Sequence, residues 1–202
     1  MIKVGRYQMI LLGLLFAGIA VLGPDFVSLW MGEEYRISGY CTILLIAPTL
    51  LLYPQQIANT LLSVRNKVKY QALIALFIGC INIIVSFLLT PMLGVVGSSI
   101  SIMIANFISF ILLNVVYWKQ LNLKLGKFYC KIYLRYLPLI ALCIIISLVI
   151  CYLIGVPGWF GFAIKVLICI AVYGLIIGLI GVSSQERKEI IQYVKRRFKN
   201  ER

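Results

Sequence analysis

Long apolar segments alternate with short polar segments along the chain. Six apolar segments have at least 20 residues each: Gln8–Trp30, Tyr40–Leu62, Tyr70–Leu89, Val95–Trp118, Tyr136–Gly155 and Trp159–Val182. Twenty helical residues, at about 1.5 Å each, cross a hydrocarbon core of about 30 Å. Barrel strands would instead alternate polar and apolar positions over roughly 10 residues. Because the backbone must satisfy its own hydrogen bonds in lipid, the pattern predicts six transmembrane helices and an all-α fold.

The third and fourth apolar segments are separated by the short stretch TPMLGVVGSS, residues 90–99, which carries no charge. Pro91, Gly94 and Gly97 follow one another at intervals of three residues. Proline disfavours helix continuation, and glycine permits a tight reversal. The stretch therefore predicts a short turn between the third and fourth spans.

Composition supports a membrane protein. Apolar residues make up 62% of the chain, charged residues 12%, and the mean hydropathy is +1.03. A soluble domain has about 45–50% apolar and about 25% charged residues. The chain therefore has too little polar surface to be soluble and is expected in a bilayer.

The basic residues cluster before the first span, after the second, after the fourth and after the sixth. These segments hold 17 of the 19 basic residues, and the opposite loops hold Arg36 beside Glu33 and Glu34. By the positive-inside rule, six spans place both termini in the cytoplasm, facing the anionic inner leaflet. This bias accounts for the net charge of +13, so nucleic acid is not an expected partner.

Two terminal segments have a particular interpretation. Lys3 and Arg6 before an apolar run also resemble a signal peptide, although the long run to Met31 favours a retained span. The expected domains are a six-span bundle at 1–182 and a cytoplasmic, basic, amphipathic tail helix at 183–202. Ser183 and Glu186 form a capping box in that tail, and Ile190, Val194 and Phe198 form its apolar stripe.

The residue types argue against an enzyme. The chain has no histidine, which is the usual general base and metal ligand. Its six cysteines have no paired spacing of the metal-binding type, and no phosphate-binding glycine motif occurs. The acids Asp25, Glu33 and Glu34 are assigned to the outer side, and the others lie in the tail. No cofactor is expected.

The second span carries an unusual set of polar side chains, Gln55, Gln56 and Asn59, with Pro48 and Pro54 close by. Two prolines weaken the helix, and the amides need either partners on other helices or a wet cavity. Interhelical amide bonds average only about 0.6 kcal/mol in membranes, so packing and a polar pathway are both open interpretations. Asn82, Asn106 and Asn114 are expected to bond between helices.

Lys165 is the single cation within a predicted span, six positions beyond Trp159. Intramembrane cations are costly and often functional. Two interpretations are open: the side chain extends outward past Trp159 to the interface, or it faces an anionic ligand.

Rows of small residues predict close helix packing. Gly97, Ser101, Ala105 and Ser109 recur at four-residue intervals in the fourth span, and Gly174 and Gly178 repeat the spacing in the sixth.

Two segments resemble a known family. The stretch GPDFVSLWMGEEY, residues 23–35, resembles a P-x-x-x-x-L-W-x-G-x-x-Y-like pattern at a span end in polysaccharide-biosynthesis exporters. The hairpin LLTPMLGVVGSSIS, residues 88–101, is similar to a turn in the same proteins. This family comprises the lipid-linked oligosaccharide flippases of the O-antigen type within the multidrug/oligosaccharidyl-lipid/polysaccharide exporter superfamily. The resemblance covers roughly residues 5–130.

The resemblance implies part of a transporter in the bacterial cytoplasmic membrane. Such flippases are about twice as long, with two lobes that rock around a cavity while a polyprenyl-pyrophosphate-linked oligosaccharide crosses. This chain resembles the C-terminal part, so the missing N-terminal lobe or a second copy would be a partner.

The expected cavity groups are Lys165, Gln55, Gln56 and Asn59, with Arg65, Lys67 and Lys69 as cytoplasmic headgroup contacts. The alternative is a non-transporting scaffold of a glycan-assembly complex, and a membrane-embedded transferase is the weakest candidate.

Overall fold

The protein is described by a computed structural model that covers residues 2–121, 125–153 and 158–181. These residues form helices and short connecting turns, and no β-strand occurs among them. The α-helices are α1 (Ile2–Met31), α2 (Arg36–Ile46), α3 (Thr49–Leu52), α4 (Gln56–Val64), α5 (Val68–Leu93), α6 (Val95–Leu121), α7 (Leu125–Leu153) and α8 (Gly158–Ile176). A π-type turn at Ile177–Gly181 follows α8.

Six helical segments are long and apolar enough to cross a membrane, as predicted. The second of these, Glu33–Val64, is built from three short helices, α2, α3 and α4. Pro48 stands at the start of α3, and Pro54 lies in the 3-10 turn Tyr53–Gln55 that separates α3 from α4. Each proline lacks an N–H for the helical ladder, which explains why the helix is broken at these two places.

The reversal between the third and fourth spans lies at Gly94, inside the predicted turn, although α5 ends later than predicted. Pro91 remains inside α5, which continues to Leu93. Gly94 has a φ of +60°, a conformation that side chains with a Cβ rarely adopt. Its N–H donates to the carbonyl of Thr90 at 2.8 Å, so one terminal carbonyl of α5 is satisfied.

Helix α1 occupies the centre of the bundle, where it contacts α2, α7 and α8. Met9 and Ala17 of α1, Tyr136 and Ile140 of α7, and Tyr173 of α8 belong to one buried cluster. On the other side, α2 contacts α6, and α6 contacts α5. Helix α5 has no buried residue and therefore forms an edge of the described bundle.

Small residues allow the closest helix contacts, although only some of the predicted rows do so. A Cβ at Gly97 would collide with the Leu89 carbonyl of α5, and Ser101 donates to Asn82 of α5 at 2.9 Å. The prediction for the fourth span is therefore confirmed at Gly97 and Ser101. For Gly174 and Gly178 it is wrong, because no atom of the described residues lies within 4 Å of a Cβ at either position.

Among the described residues, successive spans run in opposite directions, so the start of α1, the end of α4, the end of α6 and the start of α7 lie at one end of the bundle. Lys67, after α4, donates to the Gln120 side chain at 2.8 Å near the end of α6. At the start of α1, a Cβ at Gly5 would lie 3.2 Å from Phe128 of α7. We call this the basic end, and we call the end that holds Asp25 and Arg36 the opposite end. The tail at 183–202 lies outside the described residues.

Candidate functional site

An ion pair joins the first and last described spans near the opposite end. The Lys165 ammonium donates to Asp25 Oδ2 at 2.8 Å. Lys165 lies in α8 and Asp25 in α1, and their side chains are 19% and 32% exposed. The pair is therefore partly desolvated but still reaches solvent, so it can form and break at moderate cost.

Arg36 approaches the same carboxylate from a third helix. Its guanidinium lies 3.4 Å from Asp25 Oδ1 and 2.7 Å from Glu33 Oε1. The Glu33 contact is the shorter of the two, so the attraction between Glu33 and the guanidinium draws Arg36 away from Asp25. Asp25 is consequently shared between a close partner, Lys165, and a more distant partner, Arg36.

The local sequence explains how these side chains are positioned. Pro24 precedes Asp25 inside α1, and the backbone of α2 packs directly on it, since a Cβ at Gly39 would lie 2.5 Å from Pro24 Cα. Glycine at position 39 thus brings α2, with Arg36 one turn earlier, against the end of α1. Next to the ion pair, the Phe26 ring packs on α8: its centroid lies 5.7 Å from the ring centroid of Phe162 and 6.3 Å from that of Trp159.

A cavity of about 360 Å³ opens beside the ion pair, between α1, α2, α7 and α8. We call it the ion-pair cavity. Its polar lining includes Asp25, Arg36, Lys165, Tyr40, Cys151 and Tyr152. Ligand pockets typically have volumes of about 300–1,000 Å³ with a few convergent polar groups. The ion-pair cavity fits this description and can hold a small polar group next to the Lys165 ammonium.

Lys165 was predicted either to extend to the interface or to face an anionic ligand, and its partner in the structure is a carboxylate of the chain itself. Asp25 was assigned to the outer side without a partner, and in the structure it lies at the end of the bundle opposite the basic end. Asp25 lies within α1, six residues before its end. Asp25 could have been recognised as a paired residue from its position inside the first apolar segment, because an acid in a membrane span requires a partner.

The amides of the second span lie in a different place, which we call the amide–tyrosine cluster: Gln55, Asn59, Tyr117, Tyr129 and Tyr133. Gln55 is buried and donates to the Tyr129 hydroxyl at 2.9 Å, and Tyr117 donates to Asn59 Oδ1 at 2.6 Å. Tyr133 donates to the Leu51 carbonyl at 2.6 Å. Of the two open interpretations, these bonds favour packing, because they fix the broken second span to α6 and α7.

The remaining predicted site residues lie towards the basic end. Gln56 is exposed and accepts from Asn59 at 3.3 Å. Arg65 and Lys69 are also exposed, whereas Lys67 is half-buried against Gln120. Among the asparagines, Asn82 bonds between helices as predicted, but Asn114 donates to the Phe110 carbonyl of its own helix.

The structure does not bring Lys165 and the amides into one cleft. A Cβ at Gly5 would lie 3.0 Å from the Pro54 carbonyl, next to Gln55. Asp25, the partner of Lys165, lies about 20 residues further along α1, which corresponds to about 30 Å of helix. The expectation that Lys165, Gln55 and Asn59 line one cavity is therefore wrong.

Tyrosines of α6 and α7 are the polar residues that sequence reasoning missed. Tyr117, Tyr129 and Tyr133 follow or end apolar segments, where tyrosine is common as an interfacial residue. Nothing in the sequence pairs Tyr117 and Tyr129 with amide side chains 58 and 74 residues away, or Tyr133 with the Leu51 carbonyl.

No family model, curated protein or solved structure matches the chain.

Proposed function

We propose that this multi-pass membrane protein is part of a transporter that flips polyprenyl-pyrophosphate-linked oligosaccharide across the bacterial cytoplasmic membrane by alternating access. One observation carries the proposal: a lysine inside an apolar, membrane-length helix lines a cavity between four such helical segments. A charged side chain inside a span is costly and is by default a candidate for a substrate or ion pathway. The resemblance of residues 23–35 and 88–101 to flippase segments supplies the substrate class.

The cavity chemistry agrees with an anionic substrate group. Lys165 and Arg36 both line the cavity, with Asp25 as the carboxylate between them. An incoming phosphate oxygen can replace a carboxylate oxygen at either cation, because both are charge-assisted acceptors. In the proposed orientation, the basic end faces the cytoplasm and the ion-pair cavity faces outward.

The proposed transporter requires a second lobe, from an N-terminal extension or from a second copy of the chain. Flippases of the resembled family have two lobes around a central cavity. The ion-pair cavity would then be one part of the pathway, and Arg65 and Lys69 would contact substrate headgroups at the cytoplasmic surface.

Substitution of Lys165 tests the proposal in cells that depend on the chain for surface polysaccharide. We expect Lys165→Ala to lower surface glycan and to raise the amount of lipid-linked oligosaccharide on the cytoplasmic side. Lys119→Ala is the matched control, because Lys119 is exposed at the basic end. Unchanged surface glycan in a membrane-inserted Lys165→Ala protein would remove Lys165 from the mechanism.

A second candidate, a non-transporting scaffold for glycan assembly, is favoured by the amide–tyrosine cluster. Gln55 and Asn59 contact other helices, which is the arrangement expected of a rigid bundle. The two candidates differ when the chain is depleted. Loss of a transporter causes completed lipid-linked oligosaccharide to accumulate on the cytoplasmic side, whereas loss of a scaffold lowers the synthesis of that oligosaccharide.

A further inference from the structure

The end of α1 contains a feature suited to bending. Pro24 has no N–H, so the helical hydrogen bond to the Ala20 carbonyl cannot form. Sharp bends in helices occur at such prolines. Ala20 and Pro24 both line the ion-pair cavity. Movement of the last turns of α1 about Pro24 would therefore change the opening of this cavity and would carry Asp25 with it.

The contacts of Asp25 divide the opposite end into two bodies. On one side, α2 packs on Pro24 through Gly39, and Arg36 of α2 faces Asp25, so the ends of α1 and α2 form one unit. On the other side, Lys165 belongs to α8. Among the described residues, the bond between Asp25 and Lys165 is the charged contact that joins the two bodies, and the Phe26 ring adds aromatic contacts with α8.

Asp25 has a second cation available when that bond breaks. Its Oδ1 lies 3.4 Å from Arg36, beyond the usual distance for a strong charge-assisted bond of about 2.7–2.9 Å. A small shift of Arg36 away from Glu33 would shorten this contact. The carboxylate thus has a partner in both arrangements, so separation of Lys165 leaves no unpaired charge on Asp25.

We propose that Asp25, Lys165 and Arg36 form an ionic latch in which Asp25 exchanges Lys165 for Arg36 as the end of α1 swings about Pro24. In the closed arrangement, which is the one observed, Lys165 ties α8 to α1 at the wall of the ion-pair cavity. In the open arrangement, Lys165 is released and the cavity opens more widely. The use of this latch as a gate rests on the proposed transport function, whereas the opening motion does not.

The chain contains its own reporter for this motion. Cys151 lines the ion-pair cavity and is only 8% exposed. Because the thiol is nearly buried, it should react faster with a water-soluble methanethiosulfonate reagent when the cavity opens. Replacement of Cys41, Cys80, Cys130, Cys143 and Cys169 by alanine leaves Cys151 as the single thiol. The purified full chain in detergent micelles exposes both ends of the bundle to the reagent.

The decisive comparison is between Asp25→Asn and Lys165→Gln in this background. Loss of the latch raises the labelling rate of Cys151 in both variants, by about fivefold, the factor expected for an ion pair of this exposure. Electrostatics alone would move the two rates in opposite directions, because the thiolate is the reactive form of Cys151. Asp25→Asn removes a negative charge and would favour the thiolate, whereas Lys165→Gln removes a positive charge and would disfavour it. Unchanged rates, or rates that move in opposite directions, would overturn the proposal.

Two further variants test the exchange itself. Arg36→Gln removes the second partner of Asp25 and should slow the labelling of Cys151, because the open arrangement then leaves the carboxylate unpaired. The double variant Asp25→Lys with Lys165→Asp reverses the pair and should restore slow labelling. Faster labelling in Arg36→Gln would refute the exchange, and it would do so whether or not the protein transports oligosaccharide.

Discussion

Gly13 allows α7 and α8 to pack against α1. A Cβ at this position would lie 2.5 Å from the Tyr173 hydroxyl and 2.6 Å from Ile140 Cδ1, inside the buried cluster. The Tyr173 hydroxyl is held there because it donates to the Ile10 carbonyl at 2.6 Å. The site therefore cannot accept a methyl group unless two packed side chains move.

Gly13→Ala should lower the free energy of unfolding by about 1–3 kcal/mol, the usual cost of overpacking a core. Gly18→Ala is the matched control on the same helix, since no atom lies within 4 Å of its Cβ position. That control should be neutral or stabilising, because alanine favours a helix over glycine by about 1 kcal/mol. Thermal unfolding of the two variants in detergent measures the difference, and equal midpoints would contradict the packing described here.

The hydroxyl of Tyr117 is a second single group with a structural role, because it ties the second span to α6. It is fully buried, and its hydroxyl donates to Asn59 at 2.6 Å. Tyr117→Phe keeps the ring but leaves the Asn59 oxygen without this donor, so we expect a loss of about 1 kcal/mol of stability. Tyr53→Phe is the control, because Tyr53 is exposed. The same unfolding assay applies, and a neutral Tyr117→Phe would show that the bond does not fix the second span.

Lys165 illustrates how far a single residue can be interpreted from the sequence. Its position inside an apolar segment shows that it needs a special environment, and in the structure it donates to Asp25. The partner could not be identified, because it lies 140 residues away and depends on which helices are neighbours. Apolar helices carry little information about their neighbours, since many faces are equally hydrophobic.

Whole elements were easier to predict than their contacts. The six spans follow from length and hydropathy alone, and the break in the second span follows from Pro48 and Pro54. The tyrosine partners of Gln55 and Asn59 did not follow, because a requirement for a partner does not specify which residue supplies it. For the same reason, the amides and Lys165 were grouped as cavity residues although the residues of α1 beside them, Gly5 and Asp25, are 20 positions apart.

Helix α5 is attached to the described bundle mainly through α6, so the hairpin between them is sensitive to one position. Gly97 lies against the Leu89 carbonyl, and Asn82 and Ser101 are hydrogen bonded further along. Gly97→Val should separate the two helices, because the added side chain collides with backbone rather than with a flexible side chain. Gly79→Val is the control, since no atom lies within 4 Å of its Cβ position.

Disulfide cross-linking measures this separation. With the native cysteines replaced, the pair Asn82→Cys and Ser101→Cys should cross-link readily in the parent protein, because the two side chains are in contact. Gly97→Val should reduce the cross-linked fraction severalfold, and Gly79→Val should leave it unchanged. An undiminished fraction in Gly97→Val would show that α5 and α6 do not depend on this close approach.

The molecule as a whole has two chemically different ends, and this difference predicts its orientation. Lys119 is exposed at the basic end, and Met92 is 82% exposed beside the reversal at Gly94, at the other end of α6. The positive-inside rule then places Lys119 in the cytoplasm and Met92 outside.

In intact spheroplasts with the native cysteines replaced, a membrane-impermeant thiol reagent should label Met92→Cys and spare Lys119→Cys. A permeant reagent should label both, which controls for expression and reactivity. Labelling of both variants, or of Lys119→Cys alone, by the impermeant reagent would refute the proposed topology and with it the outward-facing position of the ion-pair cavity.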